Sequence, residues 1–214
     1  MEVYKYFKEK KFKDDFLMGK IRLGTFSLYR GIENKHQGDA HEGISTYYIK
    51  DETYTPEIKK EIEKSTPLSK MIFGFASEET TVRFVDAKFN HILNDSYMVC
   101  ATTERNDEFF KDDFGEHCIK IKNTTAFLVM VTHALKTSLN TDVVDYMDKV
   151  SYTKKINSDI SEYEHPALTK HEHPYSIQKE FRFIWEITPP RGNLDIITID
   201  LSSEIAENLF EEIK

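Results

Sequence analysis

The segment KEFRFIWEI, residues 179–187, constrains the fold more than any other stretch of this chain. Phe181, Phe183 and Trp185 fall on one side of a period-two pattern. Glu180, Arg182, Ile184 and Glu186 fall on the other. Side chains alternate across a strand, so the pattern specifies a strand with one strongly apolar face. Such a face must be covered, which makes a sheet packed on helices the natural frame.

Other segments supply the partners. VYKYF (3–7), KIRLGTFSLYR (20–30, bent at Gly24), YMVCATT (97–103), HCIKIKN (117–123), VVDYMDKVSYTKK (143–155) and LDIITIDL (194–201) read as strands. Residues 71–99 read as strand, loop and strand, beginning at MIFGFA. Helices are expected at KFKDDFLMG (11–19), PEIKKEIEKS (56–65), TTAFLVMVTHALKTSL (124–139) and SSEIAENLFEEIK (202–214), the last capped by Ser202 or Ser203. Residues 30–46 and 157–178 are polar and without period, and read as loops. Strands and helices interleave without a βαβ rhythm. The expected fold is therefore α+β, with mixed, mostly antiparallel sheets and flanking helices. A length of 214 residues favours one domain over 1–214.

Charge and composition narrow the function classes. The formal net charge is -8 and the isoelectric point about 5.5, which argues against a surface that binds nucleic acid as a whole. The lysine-rich stretch Lys5–Lys13 reads as a solvated turn. Cys100 and Cys118 sit in apolar strand-like runs and read as buried free thiols. No run reaches the roughly 20 apolar residues that cross a bilayer. No signal-peptide core is visible at the N-terminus, so no membrane association and a cytoplasmic location are expected. The P-loop, GxGxxG, HExxH, CxxC and GxSxG signatures are absent.

Three polar constellations remain. The first is Tyr29, Arg30, Glu33, Asn34, His36, Asp39, His41 and Glu42, interleaved with Gly31, Gly38 and Gly43. His36, Asp39, His41 and Glu42 offer imidazole and carboxylate donors, but no recognised metal spacing is matched, so no metal is assigned. The second is His165, His171 and His173 with Glu164 and Glu172, whose plain reading is a surface loop. The third is Gln178, Glu180 and Arg182, placed on one face by strand periodicity. Glu180 beside Arg182 reads as a structural ion pair. Alternatively, a carboxylate fixed in a cleft stabilises an oxocarbenium-like centre.

The chain resembles a bacterial family, domain of unknown function 2971. The resemblance rests on YKYF near the start, on Gly38-Asp39-Ala40-His41-Glu42 in place of an Asn-Asp-Pro-Phe-Glu-like loop, and on two later stretches. These are YMVCATTERNDEFFKDDFGEHCIKI and KHEHPYSIQKEFRFIWE. The layout is also similar to an ADP-ribosyltransferase-type fold. That likeness implies NAD as substrate in a cleft between two sheets, with a protein or nucleic-acid acceptor. Lys5 would stand where such folds carry Arg or His on the first strand. Thr102 and Thr103 would replace the Ser-Thr-Ser strand, and Gln178 and Glu180 match Gln-x-Glu. In that reading Glu180 holds the nicotinamide ribose, Gln178 orients the acceptor, Lys5 and Arg30 meet the pyrophosphate, and Tyr29 or Phe26 stacks on nicotinamide. Asp39 and Glu42 would add ligand contacts. A toxin or phage-defence effector fits such chemistry. The alternatives are a non-catalytic nucleotide- or partner-binding sensor and a metal-dependent hydrolase or nuclease built on residues 30–42. On this reading, Glu180→Gln is expected to abolish transfer or NAD hydrolysis with the fold intact.

Overall fold

The computed structural model describes residues 1–32, 37–153 and 157–213. In chain order the elements are β1 (Val3–Phe7), α1 (Lys10–Leu17), β2 (Lys20–Thr25), α2 (Phe26–Arg30), β3 (Ile44–Tyr54), α3 (Pro56–Ser65) and α4 (Leu68–Phe73). There follow β4 (Val82–Ile92), β5 (Tyr97–Thr102), α5 (Asp107–Asp113), β6 (His117–Ile121), α6 (Thr124–Leu139), β7 (Asp142–Lys149) and β8 (Ser151–Thr153). The last third holds β9 (Thr169–His171), α7 (Glu172–Tyr175), β10 (Glu180–Thr188), β11 (Ile197–Asp200), α8 (Ser203–Leu209) and β12 (Phe210–Ile213). The fold is mixed α and β, with mostly antiparallel sheets; the short β8–β9 pair is parallel.

The main sheet has eight strands and branches at β5. Along one edge β5 pairs with β10 from Tyr97↔Trp185 to Thr102↔Glu180, and β7 continues beyond β10. Along the other edge β5 pairs with two strands in turn. Tyr97 and Met98 pair with Thr25 and Gly24 of β2, which leads to β11. Thr102 pairs with Tyr4 of β1, which leads to β6 and β12. Strands β1 and β2 thus diverge from β5 as the prongs of a fork.

The alternation that defines β10 is realised as expected. Phe181, Phe183 and Trp185 enter the main core against α6, where Phe127, Val131 and Leu135 are buried. Phe127 meets Phe183 edge-on at 4.7 Å. On the opposite face, Ile184 packs with Phe26, Met98 and Ala167. Helix α6 is capped by the Asn123 side chain and ends at Asn140 in the left-handed region, φ 46°.

Four expected elements differ. Residues 26–30 are helical, because the Thr25 hydroxyl accepts the Leu28 N–H and starts a helix where a strand was expected to continue. The strand expected at MIFGFA is instead the end of α4, whose first turn is tied by Leu68 N–H to the Thr66 hydroxyl. The terminal helix stops at Leu209, and β12 then pairs with the outer edge of β6. This packs Phe210 against both Phe16 and Phe127. Residues 82–92, expected as loop, form β4 and pair with β3. Inward positions shift phase from Val82 and Phe84 to Ala87 and Phe89 across Asp86, which has φ 48°, so the period-two signal breaks.

Trp185 is the only tryptophan, fully buried, and its indole N–H donates to the Thr132 hydroxyl at 2.9 Å. Removing that acceptor leaves a buried donor unpaired. Thr132→Val is expected to cost about 1–3 kcal/mol, read from urea unfolding followed by Trp185 fluorescence. A loss under about 0.5 kcal/mol would show that the bond carries no stability.

Candidate functional site

The fork opens onto a cleft of about 480 Å³. Strand β1 contributes Tyr4, Lys5, Tyr6 and Phe7, and β2 contributes Lys20, Arg22 and Gly24. The floor is β5, with Met98, Cys100, Ala101 and Thr102, joined by Gln178 and Glu180. Among the described residues, this edge of β5 pairs with no strand between Met98 and Thr102. The Cys100 carbonyl that the gap exposes is taken by the Lys5 ammonium at 2.9 Å.

Electrostatically the cleft differs from the chain as a whole. It is lined by Lys5, Lys8, Lys20, Arg22 and Lys170 against Asp15, Glu42 and Glu180, although the chain carries a formal charge of -8. One wall is aromatic: Tyr6 stacks on Phe110 at 4.5 Å and 22°, and Phe114 lies behind Phe110. On the other prong the Tyr29 ring lies over Gly24, where a Cβ would fall 2.7 Å from ring carbon Cε2. Burial holds the Tyr29 phenol well above its ordinary range, so it remains a neutral hydroxyl.

Beneath the cleft lies a buried ionic set. Arg182, fully buried, donates from Nε to Glu180 Oε1 at 2.7 Å. Its two Nη atoms reach Glu42 Oε1 and Oε2 at 2.6 and 2.9 Å, and Nη1 also reaches the Ala167 carbonyl at 2.5 Å. Lys170 donates to Glu180 Oε2 at 2.8 Å and lies over the Tyr175 ring at 4.6 Å. Two cations and two carboxylates therefore balance, as buried charges must. Burial would raise the Glu180 carboxyl, but Arg182 and Lys170 outweigh it and hold the group well below the usual carboxylate range. For Lys170, burial pulls the ammonium down, but the carboxylates of Glu180 and Glu42 together leave it above its ordinary value.

The residues singled out from the sequence divide between this cleft and its surroundings. Lys5, Tyr29, Glu42, Thr102, Gln178 and Glu180 line the cleft together. Gln178 arrives by another route than strand periodicity. It closes a 3₁₀ turn, and Lys179 at φ 45° reverses the chain before β10 begins. Four assigned contacts lie elsewhere. Arg30 is absent from the cleft lining, and its Nε holds the Glu42 carbonyl at 2.7 Å. Thr103 clips the Lys179 carbonyl at 3.1 Å. Asp39 lines a second cavity and accepts the His41 N–H. Phe26 is fully buried in the core and cannot stack on a ligand.

The metal reading of the first loop loses Glu42, whose two oxygens both bind Arg182. Glu33, Asn34 and His36 lie outside the described residues. Among the described residues no group of three His, Cys, Asp or Glu side chains is placed to hold a metal ion. The later histidines serve local structure. His165 accepts the Ala167 N–H, and His171 bonds the backbone of His173. Both cysteines are free thiols: burial raises Cys118 to about 11 and Cys100 further, so neither is a ready nucleophile. Sequence reasoning missed Arg22 and Lys170. Arg22 lay in a pattern read only as strand, and Lys170 in a segment read only as loop. No family model, curated protein or solved structure matches the chain.

The ionic set corrects the expectation that Glu180→Gln leaves the fold undisturbed. The change strips one anion from a buried neutral group, and is expected to cost about 3–5 kcal/mol at neutral pH. The folded-state carboxyl is depressed, so its stabilisation is present above the unfolded value of about 4.3 and is lost as pH falls below it. The gap between wild type and Glu180→Gln should therefore narrow below about pH 4 in urea unfolding. An equal gap at pH 7 and pH 3 would contradict the assignment of charge to Glu180.

Proposed function

We propose that this chain is an NAD-consuming enzyme of the ADP-ribosyltransferase type, transferring ADP-ribose to a macromolecule or releasing it to water. The observation that carries the reading is the fork. Lys5 and Arg22 come from its two prongs, an aromatic wall stands beside them, and Glu180 lies at its base. A dinucleotide needs cationic groups for its pyrophosphate and a flat apolar surface for a ring. Arg22, exposed on β2, takes the role that Arg30 is not placed to fill. Its planar fork suits phosphate better than the point charge of Lys5.

The chemistry needs little more than a fixed charge. As the bond between the ribose carbon and nicotinamide breaks, the electron pair leaves with nicotinamide and the sugar carbon becomes an oxocarbenium cation. Glu180, held ionised and immobile, supplies the preorganised negative potential that this cation requires. Water or an acceptor hydroxyl, oriented by Gln178, then forms the new bond to carbon and releases its proton. A toxin or phage-defence effector is the biological setting that suits such an activity.

One observation favours a second reading, a binding domain without turnover. Both Glu180 oxygens are already engaged by Arg182 and Lys170, and the residue is only 5% exposed. Calorimetry and product analysis separate the two. NAD or ADP-ribose at about 100 times its dissociation constant should stabilise the fold by about 2.7 kcal/mol, visible as a rise in melting temperature. Arg22→Ala should weaken that rise. Release of nicotinamide by wild type but not by Glu180→Gln, each checked for a folded state by circular dichroism, supports the enzyme. Binding without release supports the sensor. No shift with either ligand at millimolar concentration sinks both.

A further inference from the structure

Lys5 carries chemistry beyond the reading of a phosphate contact. A lysine ammonium has three donors, and among the described residues one is used, on the Cys100 carbonyl. No carboxylate lies within ion-pair distance of it among those residues. The nearby anion, Glu180, is already engaged by Arg182 and Lys170. Lys5 is held by strand pairing on β1 opposite Ile119, and its amine projects into the cleft rather than into bulk solvent. The Phe7 ring lies 5.5 Å from the amine. A second cation, Arg22, lines the same cleft from the other prong and has no carboxylate partner among the described residues.

We propose that Lys5 is a nucleophilic lysine that condenses with an aldehyde or ketone bearing a phosphate or carboxylate, the anion being held by Arg22. Desolvation and a neighbouring cation are the two means by which proteins make a lysine amine nucleophilic at neutral pH. Both act here. Burial lowers the Lys5 value, and Arg22 adds to that, against the opposing pull of Cys100 and Glu180. The condensation balances without a co-reactant. The uncharged amine attacks the carbonyl carbon, and a nitrogen proton moves to the carbonyl oxygen. The carbinolamine then expels that oxygen as water with the second nitrogen proton, leaving a carbon–nitrogen double bond. The aromatic wall formed by Tyr6 and Phe110 lines the same cleft and favours a carbonyl compound with a planar group. The proposal does not rest on NAD as substrate.

Borohydride trapping tests it on the intact chain. Wild-type protein is incubated at neutral pH with substoichiometric pyridoxal 5′-phosphate, or with glyoxylate, then reduced and mapped by peptide mass. The expected result is that Lys5 carries most of the label, ahead of Lys8 and Lys20, which line the same cleft but are exposed. Label spread evenly over Lys5, Lys8 and Lys20 overturns the proposal, and this comparison needs no variant. In Arg22→Ala, Lys5 labelling by both anionic probes should fall about tenfold or more, as loss of a charge-assisted contact predicts. Labelling by butyraldehyde, which has no anion, should fall far less, because it loses only the small effect of Arg22 on the amine itself. Equal labelling of Lys5 by the anionic probes in wild type and Arg22→Ala overturns the role given to Arg22.

Discussion

The Arg182 guanidinium is the interaction on which the arrangement of the site depends. It lies on β10 with no exposed surface, and it joins three parts of the chain. Glu42 comes from the first loop, the Ala167 carbonyl from the turn before β9, and Glu180 from the start of β10 itself. A buried arginine that satisfies two carboxylates and a carbonyl is strongly directional, because the planar fork admits few alternatives. Its net contribution to stability is limited by the cost of desolvating the charges. What it determines is position. The loop carrying Glu42 and the segment carrying Lys170 are both brought to the floor of the cleft.

The second determinant is the fork in the sheet. A strand edge presents unpaired amide groups, which a protein must cover or use. Here β5 shares one edge between β1 and β2 and leaves a gap where Cys100 stands. The backbone group left over is satisfied by a side chain, Lys5, and so a lysine is drawn into the cleft. The same divergence creates the volume lined by Arg22, Tyr29 and the Tyr6–Phe110 stack. Topology, cleft volume and the placement of cations therefore have one origin.

Much of the secondary structure was legible because its signals are local. The alternation in β10, the apolar run of α6 and the Ser202 cap each involve neighbours in sequence. The errors arose where a local signal was absent or overruled. Thr25 turned an apparent strand into a cap, Asp86 broke the alternation of β4, and an open edge of β6 recruited residues 210–213 into pairing. For the site, Lys5, Tyr29, Glu42, Thr102, Gln178 and Glu180 were recognisable and do converge. Arg30, Thr103, Asp39 and Phe26 were drawn in by the resemblance and by sequence proximity, and the fold turns them to other partners.

By itself the sequence determined the class of fold, the identity of the central apolar strand and the pairing of Glu180 with Arg182, since two residues apart on a strand share a face. It also supplied the cations and aromatic rings from which a cleft is made. Only the tertiary structure decided that Glu42 and Lys170 complete the ionic set, that β1 and β2 part to open a cleft, and that Arg22 rather than Arg30 faces Lys5 within it. Those outcomes depend on contacts between residues as many as 140 positions apart, as from Glu42 to Arg182. Local periodicity and capping act over a few residues and carry no information at that range.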